Sequence, residues 1–348
     1  MKLLLDQAIN SGASQVLVRS KLRAVSRRMG FSDPARERIE LISNELITNH
    51  VKHAGGHGLM QVWESNGENP SLDIFALDFG PGIPNLPAAM RDGYTTAGTM
   101  GKGLGAVARL AMESGFYTVP ENLGSDGPWH GLAVWARLYA KGKPKPQLCQ
   151  TGTFLRAYQD DTFNGDAIYP MVGRHGARWL HLDGLGHGQP AAEAVAKAGG
   201  VLDSVTPLDG ILDRLSTHLR GGRGAVAIAA EADIEAQKIR ICGVGDMAAY
   251  IICNGERRAV NFAPGVLGHD HRTGEQLELA FPPQALLLTA SDGLRRNWSI
   301  DQFPSLWRAH PQLIAFLLGN TITRNNDDKS IFVVRTTPRI DPNAPIDS

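Results

Sequence analysis

The sequence predicts an α+β protein with two domains that differ in their proportions of helix and strand. The chain has 348 residues, which exceeds a single core of ordinary size. Lysines and prolines at residues 141–146 indicate an extended linker, because each proline disfavours helix at the residue before it. We therefore expect domains at residues 1–140 and 147–336. The proline-rich residues 337–348 are expected to form a flexible tail.

Charge and composition argue against several classes of function. Lys plus Arg and Asp plus Glu each number 35, so the net charge is zero, and no basic stripe is present for a nucleic acid. Three cysteines, Cys149, Cys242 and Cys253, are widely spaced, which fits neither a disulfide framework nor a zinc site. No apolar run approaches the roughly 20 residues of a membrane-spanning helix, and the N-terminus lacks a signal-peptide pattern. We expect a cytoplasmic protein that binds neither nucleic acid nor membrane.

The first half predicts helices packed on strands. Asp33 suits a helix N-cap, Pro34 suits the first helical position, and Gly55-Gly56 would end this helix at about Ala54. Its apolar residues repeat at helical spacing. Strand-like runs follow at residues 58–64 and 72–78, a second helix follows the glycines at 101–105, and a last strand covers 132–138.

The second half is richer in strands than in helices. Short runs of Val, Ile, Leu and Ala predict strands at residues 178–182, 225–230, 238–243, 248–252, 285–290 and 330–335. Helical patterns lie at residues 191–198, 208–219 and 303–318. This mixture predicts a β-sandwich flanked by helices.

On the first predicted helix, Glu45 and Asn49 lie four residues apart and so share one face. An amide oxygen can ligate Mg²⁺ and a carboxylate can act as a base. Taken alone, the pair is more often a solvated helix flank.

Two glycine-rich segments follow. Asp78 opens the segment Asp-Phe-Gly-Pro-Gly at the end of a strand, where its carboxylate could accept a hydrogen bond from an adenine amino group. The segment Gly-Thr-Met-Gly-Lys-Gly-Leu-Gly at residues 98–105 leads into a helix, and such a helix N-terminus favours anions. It is neither a Walker A motif nor a dinucleotide fingerprint.

The order and spacing of these motifs resemble the Bergerat (GHKL) ATPase fold, an α/β sandwich, and within it the RsbT switch kinases. The resemblance covers nearly all of the first half. It implies ATP as the ligand, Mg²⁺ held by Asn49, and Glu45 as the base for a protein serine or threonine hydroxyl. His130-Gly131 departs from the Gly-Thr that often opens the family's last strand. The implied ATP-binding residues are Asn49, Asp78, Gly80, Gly82, Thr95, Thr96, Gly101, Lys102, Gly103, Leu104 and Gly105.

In the second half, four aspartates sit beside glycine or at strand ends: Asp166, Asp183, Asp292 and Asp327. A single Asp-Gly pair is more often a tight turn. Several carboxylates gathered at one end of a sheet would repel one another unless cations bound between them. All-oxygen ligands favour Mg²⁺ or Mn²⁺ over zinc.

These motifs resemble the metal-dependent PPM phosphatases, specifically their SpoIIE and RsbX branch. The resemblance implies two Mn²⁺ or Mg²⁺ ions held by those four aspartates and by the carbonyl of Gly184. Asp327 is preferred over Asp328 because the family pattern is Asp, two residues, then Ser or Thr. Asp246 is interpreted as a turn residue. Arg220 and Arg223 either steer a phosphorylated loop or are plain loop charges.

Together the two resemblances imply a partner-switching regulator that phosphorylates and dephosphorylates STAS-domain proteins. A downstream sigma factor or a switch phosphatase is a further candidate partner, and a homodimer is an expectation by analogy. The alternative is a phosphatase whose ATP-bound first domain is a non-catalytic binding module for a STAS protein or sigma factor.

Overall fold

The computed structural model describes residues 1–9, 12–91, 103–123, 127–144, 147–173, 176–271, 274–324 and 327–336. The chain forms two compact units. Unit 1 contains Met1–Lys145 and Asp301–Thr321, and unit 2 contains Pro146–Ile300 and Ile322–Ser348. The segment 301–321, which lies within the second domain predicted from the sequence, groups with unit 1. The predicted tail at residues 337–348 lies outside the described residues.

The first half of the chain contains five strands and four helices among its described residues. They are β1 (Lys2–Ala8), α1 (Gly12–Arg28), α2 (Asp33–His53), β2 (Gly58–Ser65), β3 (Ser71–Asp78), α3 (Leu86–Ala89), α4 (Gly103–Leu110), β4 (Glu113–Val119) and β5 (Gly131–Tyr139).

The second half follows with strands and helices in the order β6 (Cys149–Arg156), β7 (Asp166–Val172), β8 (Gly176–Gly184), α5 (Gln189–Ala196), α6 (Leu208–Leu219), β9 (Ala225–Asp233), β10 (Lys238–Val244), β11 (Ala248–Cys253), β12 (Glu256–Val260), β13 (Leu277–Ala280), β14 (Leu286–Ala290), α7 (Pro311–Thr321) and β15 (Lys329–Thr336). Among the described residues, no helix combines the length and the apolar character needed to cross a bilayer.

Helix α2 begins and ends close to its predicted limits. Its N-cap is Ser32 rather than Asp33, with Pro34 in the first turn. The chain leaves the helix through Gly55 and Gly56, whose φ angles of 60° and 77° are left-handed and favour glycine.

Unit 1 is built on one antiparallel sheet with the strand order β1-β2-β3-β5-β4. One face of the sheet packs against α1, α2 and α4 through a single apolar core. Residues on this face alternate along each strand, as Leu72, Ile74 and Ala76 do on β3. The burial of these side chains holds α2 and α4 against the sheet, which positions the loops at the ends of both helices.

The opposite face of the sheet packs against α7, a helix from the second half of the chain. The Phe316 ring lies 5.4 Å from the Trp63 ring and 5.0 Å from the Phe75 ring, measured between centroids. A polar contact from the buried Gln61 also joins this face to α7, since Gln61 Nε2 donates to Asn320 Oδ1 at 2.9 Å. Every residue of β3 is consequently buried, on both faces of the sheet.

We expect the substitution Phe316→Ala to lower the free energy of unfolding of unit 1 by about 3–5 kcal/mol, because it empties a fully buried aromatic site. Urea titration followed by tryptophan fluorescence would measure the loss. Val16→Ala, at a position 71% exposed on α1, is the control and should change stability by no more than about 0.5 kcal/mol. Equal stabilities of the two variants would contradict the packing described for α7.

Unit 2 contains two antiparallel sheets, with the strand orders β13-β10-β9-β8-β7 and β12-β11-β14-β15-β6. Side chains from both sheets meet in one core, where the Trp179 and Phe332 rings lie 5.3 Å apart. Helices α5 and α6 pack on the outer face of the first sheet through a second core. The predicted α+β class, with a β-sandwich flanked by helices, is confirmed.

The inner faces of the sandwich change from apolar to polar toward one end. Alternate residues of a strand share a face. On β8, Trp179 belongs to the inner core, and His181 and Asp183 follow at the same alternation. On β15, Ser330 precedes Phe332 in the same way. The strand ends therefore bring polar side chains to one edge of an otherwise apolar core.

Candidate functional site

In unit 1, α2 directs Asn49 toward the start of α4. Glu45 and Asn49 are half-buried one helical turn apart. A Cβ at Gly103 would lie 3.5 Å from both terminal atoms of the Asn49 amide. The amide therefore sits beside the N-terminus of α4, where backbone N–H groups favour a bound anion.

Asp78 is fixed at the end of β3. Its buried Oδ1 accepts hydrogen bonds from Gly80 N at 2.9 Å and Leu132 N at 3.0 Å. The backbone oxygen of Asp78 accepts from Trp129 Nε1 at 2.8 Å. These contacts hold the carboxylate in one orientation, as a hydrogen bond to the edge of an adenine ring would require.

Glycines allow the chain to pass close to this aspartate. Gly131 has a φ of 132°, and a Cβ there would lie 2.3 Å from the Asp78 backbone oxygen. Gly82 has a φ of 69°, and its Cβ would lie 2.5 Å from Val119 O. His130 Nδ1 lies 2.8 Å from Gly80 O. The His130-Gly131 pair thus supplies a required glycine and a contact, a role that the sequence analysis did not assign.

The structure brings Asn49, Asp78, Gly80, Gly82 and the start of α4 into one part of unit 1. Leu104 and Gly105 are buried within α4. Thr95, Thr96, Gly101 and Lys102 lie outside the described residues. The arrangement is compatible with a nucleotide whose phosphates face α4.

In unit 2, Asp166 and Asp183 are direct partners across the β7–β8 pair. Adjacent positions of this kind place two carboxylates on neighbouring strands at the same level. The next residue of β8, Gly184, donates from its N to Gly165 O at 2.9 Å. A Cβ at Gly184 would lie 3.0 Å from Ala191 O, so a side chain would not fit without movement.

The two aspartates before β15 have different roles. Asp328 is buried, and its Oδ1 and Oδ2 accept from Tyr158 N at 2.7 Å and Gly165 N at 2.8 Å. Asp327 is half-buried, and its Oδ1 accepts from Asp328 N at 2.9 Å. Because backbone N–H groups occupy both oxygens of Asp328, Asp327 is the better candidate to ligate an ion.

The carboxylates at this end influence one another strongly. Burial raises the pKa of Asp183 to about 9, and the charge of Asp166 adds to the shift, followed by those of Asp292 and Asp327. Burial also raises the pKa of Asp166 to about 7, although the hydroxyls of Ser330 and Ser291 act against it. The pKa of Asp292 is raised by burial and by Asp327. The four predicted aspartates therefore form one electrostatic group.

Asp246, interpreted from the sequence as a turn residue, belongs to the same group. Its charge contributes to the raised pKa of Asp183 and to that of Asp292. It is exposed in a bend two residues after the end of β10, within a Gly-Val-Gly-Asp segment. Arg223 is exposed beside the loop after β8, with its Nη1 donating to Leu185 O at 3.4 Å.

The donor chemistry fits a hard divalent cation. Within the described residues, no three His, Cys, Asp or Glu side chains are gathered closely enough to enclose a metal ion as they stand. The donors are nevertheless all oxygen, and Asp166 Oδ1 is buried without a hydrogen-bond partner among the described residues. A buried carboxylate oxygen without a donor is costly, and a cation would satisfy it.

Comparison with known proteins identifies the first part of the chain. Residues 12–122 match the model of the histidine kinase-like ATPase domain family. The chain is 37% identical over 100 residues to the serine/threonine-protein kinase RsbT of Bacillus subtilis (strain 168). The match covers 28% of this chain and 74% of RsbT.

Solved structures extend the comparison to more of the chain. A chain of the structure described as "The bacterial stressosome: a modular system that has been adapted to control secondary messenger signaling" is 25% identical, with a TM-score of 0.50. The match covers 54% of this chain and 99% of that one. RsbX in complex with magnesium is 16% identical with a TM-score of 0.46, covering 56% of this chain and 98% of RsbX. Through its first unit, the chain belongs to the family of the serine/threonine-protein kinase RsbT.

Proposed function

We infer that this chain is a bifunctional regulator, with an ATP-dependent serine/threonine kinase in unit 1 and a metal-dependent phosphoserine/phosphothreonine phosphatase in unit 2. The observation that carries the second activity is the group of four aspartates at the polar end of the sandwich, in which the charge of Asp327 adds to the raised pKa of Asp166, Asp183 and Asp292. Family membership and the placement of Asn49 against Gly103 support the first.

In the proposed kinase reaction, Glu45 accepts the proton of a serine or threonine hydroxyl as its oxygen attacks the γ-phosphorus of ATP. The bond between that phosphorus and the β–γ bridging oxygen breaks, and ADP leaves. Mg²⁺, when bound, neutralises charge on the phosphates, and Asn49 would hold it. Asp78 would accept a hydrogen bond from the adenine amino group. Gly80, Gly82, Gly103, Leu104 and Gly105 would contact the nucleotide, and the resemblance to the RsbT kinases adds Thr95, Thr96, Gly101 and Lys102 as proposed ATP-binding residues.

In the proposed phosphatase reaction, Asp166, Asp183, Asp292, Asp327 and the Gly184 carbonyl would hold two Mn²⁺ or Mg²⁺ ions. Such a pair, when bound, supplies a water of lowered pKa as the nucleophile. The exposed Arg223 beside the β8 loop would attract the phosphate of the incoming substrate. The products are a free serine or threonine hydroxyl and inorganic phosphate.

The proposed substrates are STAS-domain proteins, with a downstream sigma factor or a switch phosphatase as further partners. This choice is supported by the similarity to RsbT and to a chain of a bacterial stressosome structure. The second candidate keeps the phosphatase and makes unit 1 an ATP-dependent binding module. The half-buried Glu45 one turn from Asn49 favours the kinase.

The proposal is tested in both directions with a STAS-domain protein from the same genome. With Mg²⁺ and ATP, the chain should transfer phosphate to a serine or threonine of that protein. With Mn²⁺ and the phosphorylated protein, it should release inorganic phosphate. Phosphate release without phosphate transfer would favour the binding-module alternative. If the chain carries out neither reaction, the proposed function is contradicted.

A further inference from the structure

A buried polar chain crosses the interior of unit 2 and ends on one of the proposed metal ligands. His181 on β8 is fully buried between the sheets. Its Nδ1 lies 2.9 Å from Thr289 Oγ1, and its Nε2 lies 2.7 Å from Ser330 Oγ. Ser330 Oγ in turn donates to Asp166 Oδ2 at 2.7 Å. Four strands from two sheets therefore contribute to one hydrogen-bonded series.

The direction of these hydrogen bonds follows from the carboxylate at the end. Ser330 directs its hydroxyl hydrogen at Asp166 Oδ2, as a carboxylate that ligates a cation can only accept. The Ser330 oxygen then accepts from His181, which places the ring proton on Nε2. The unprotonated Nδ1 accepts from the hydroxyl of Thr289. Each donor in the series is used once, and no group in it has to bear a charge except Asp166.

The environment of His181 supports a neutral ring. Both ring nitrogens face hydroxyl groups, and no carboxylate lies within hydrogen-bond distance of either among the described residues. An unpaired imidazolium in such a site would be costly.

We propose that His181 is a positioning residue, which holds the Ser330 hydroxyl against Asp166 and so leaves Oδ1 of that carboxylate aimed at a divalent cation. Asp166 Oδ1 has no hydrogen-bond partner among the described residues, whereas Oδ2 accepts from Ser330 Oγ at 2.7 Å. The carboxylate thus has one oxygen fixed by the protein and one left for an ion. The inference rests on the metal site of the proposed function. It adds the hydrogen bonds that orient Asp166, the most buried of the proposed ligands.

Hydrogen-bonded supports of this kind fix the orientation and basicity of metal ligands, and their loss lowers metal affinity about 10–100-fold. The series also explains why polar residues occupy the inner faces of three strands that are apolar elsewhere. Thr289 and Ser330 are both buried. Each therefore needs a partner inside the core, and His181 supplies one to both.

The test compares His181→Asn with His181→Gln. The Gln amide nitrogen can occupy the place of Nε2 and donate to Ser330, whereas the shorter Asn amide reaches only the place of Nδ1. Calorimetric titration of the full chain with Mn²⁺ should show affinity about 10–100-fold lower for His181→Asn and close to wild type for His181→Gln. Circular dichroism and thermal unfolding in chelator check that both variants fold.

A second measurement does not depend on a substitution. Nitrogen-15 NMR of the Mg²⁺-bound wild type should find the His181 proton on Nε2, and a proton on Nδ1 would overturn the proposal.

If His181→Asn does not fold, the isosteric Thr289→Val replaces it, with Mn²⁺ affinity expected about tenfold lower. Unchanged affinity in folded His181→Asn or Thr289→Val would overturn the role of His181 alone. Absence of Mn²⁺ binding by the wild type would overturn the metal site itself and the inference with it.

Discussion

Asp183→Asn is expected to reduce Mn²⁺-dependent phosphate release from a phosphoserine protein by more than ~100-fold. This exceeds the loss of about 10–100-fold that is usual when a residue hydrogen-bonded to a metal ligand is removed, because Asp183 is proposed to be a ligand itself. The substitution keeps the size of the side chain and removes the charge at the centre of the acidic group. Asp233→Asn, at the far end of β9 from Asp183, is the matched control and should retain full activity. Comparable rates for the two variants would contradict the assignment of Asp183.

The same substitution, Asp183→Asn, should lower activity but raise the stability of the metal-free protein. Because folding raises the pKa of Asp183 to about 9 and that of Asp166 to about 7, the folded protein binds more protons than the unfolded chain. In chelator, the ionisation of these two groups therefore leaves the protein most stable below about pH 4. The free energy of unfolding falls as the pH rises from there toward 9. At pH 8 in chelator, Asp183→Asn should melt at a higher temperature than the wild type. Added Mn²⁺ should stabilise the wild type and leave the variant unchanged.

Glu45→Ala is expected to keep ATP affinity within a few-fold and to slow phosphate transfer by about 10²–10⁴-fold, the range for loss of a general base. Asn49→Ala should instead weaken binding of ATP in the presence of Mg²⁺. The control is Glu37→Gln, an exposed position two turns earlier on α2. Fluorescent ATP binding and single-turnover phosphate transfer measure the two effects separately. Unchanged transfer by Glu45→Ala would remove this carboxylate from the reaction.

The strands that could be predicted from the sequence share one property. All nine of them occupy inner positions of the three described sheets. Each has a neighbouring strand on both sides and packs at least one face against a core, so its apolar residues recur regularly. The six described strands that were not predicted, β1, β4, β6, β7, β12 and β13, are the edges of those sheets. Edge strands expose much of their surface, so exposed and half-buried residues interrupt their alternation, as in Lys2–Ala8.

Long-range packing explains a second difference. A helix was predicted at residues 303–318, and α7 covers Pro311–Thr321, but its apolar character could not reveal which core it joins. The signal was present elsewhere, because β3 carries apolar residues such as Ile74 and Phe75 toward both faces. A two-sided apolar strand requires a second covering layer. Sequence alone does not say which distant segment supplies it.

The candidate sites follow a similar division. Motif spacing placed Asn49 and Asp78 in unit 1 and the aspartates of unit 2 on strand ends that the fold brings together. His181 was missed because its contacts join strands far apart in sequence. Asp246, interpreted as a turn residue, lies in a bend and adds its charge to the acidic group. The pattern Trp-Leu-His-Leu-Asp at residues 179–183 does place His181 on the face shared by Trp179 and Asp183, a signal that alternation alone could have supplied.

The most direct test of two opposed activities in one chain is the steady-state phosphorylation of a STAS-domain protein in the presence of ATP, Mg²⁺ and Mn²⁺ together. Mass spectrometry would give the phosphorylated fraction with the wild type, with Glu45→Ala and with Asp183→Asn. We predict that Asp183→Asn raises this fraction above the wild-type value and that Glu45→Ala lowers it. The same phosphorylated fraction with all three proteins would contradict the account.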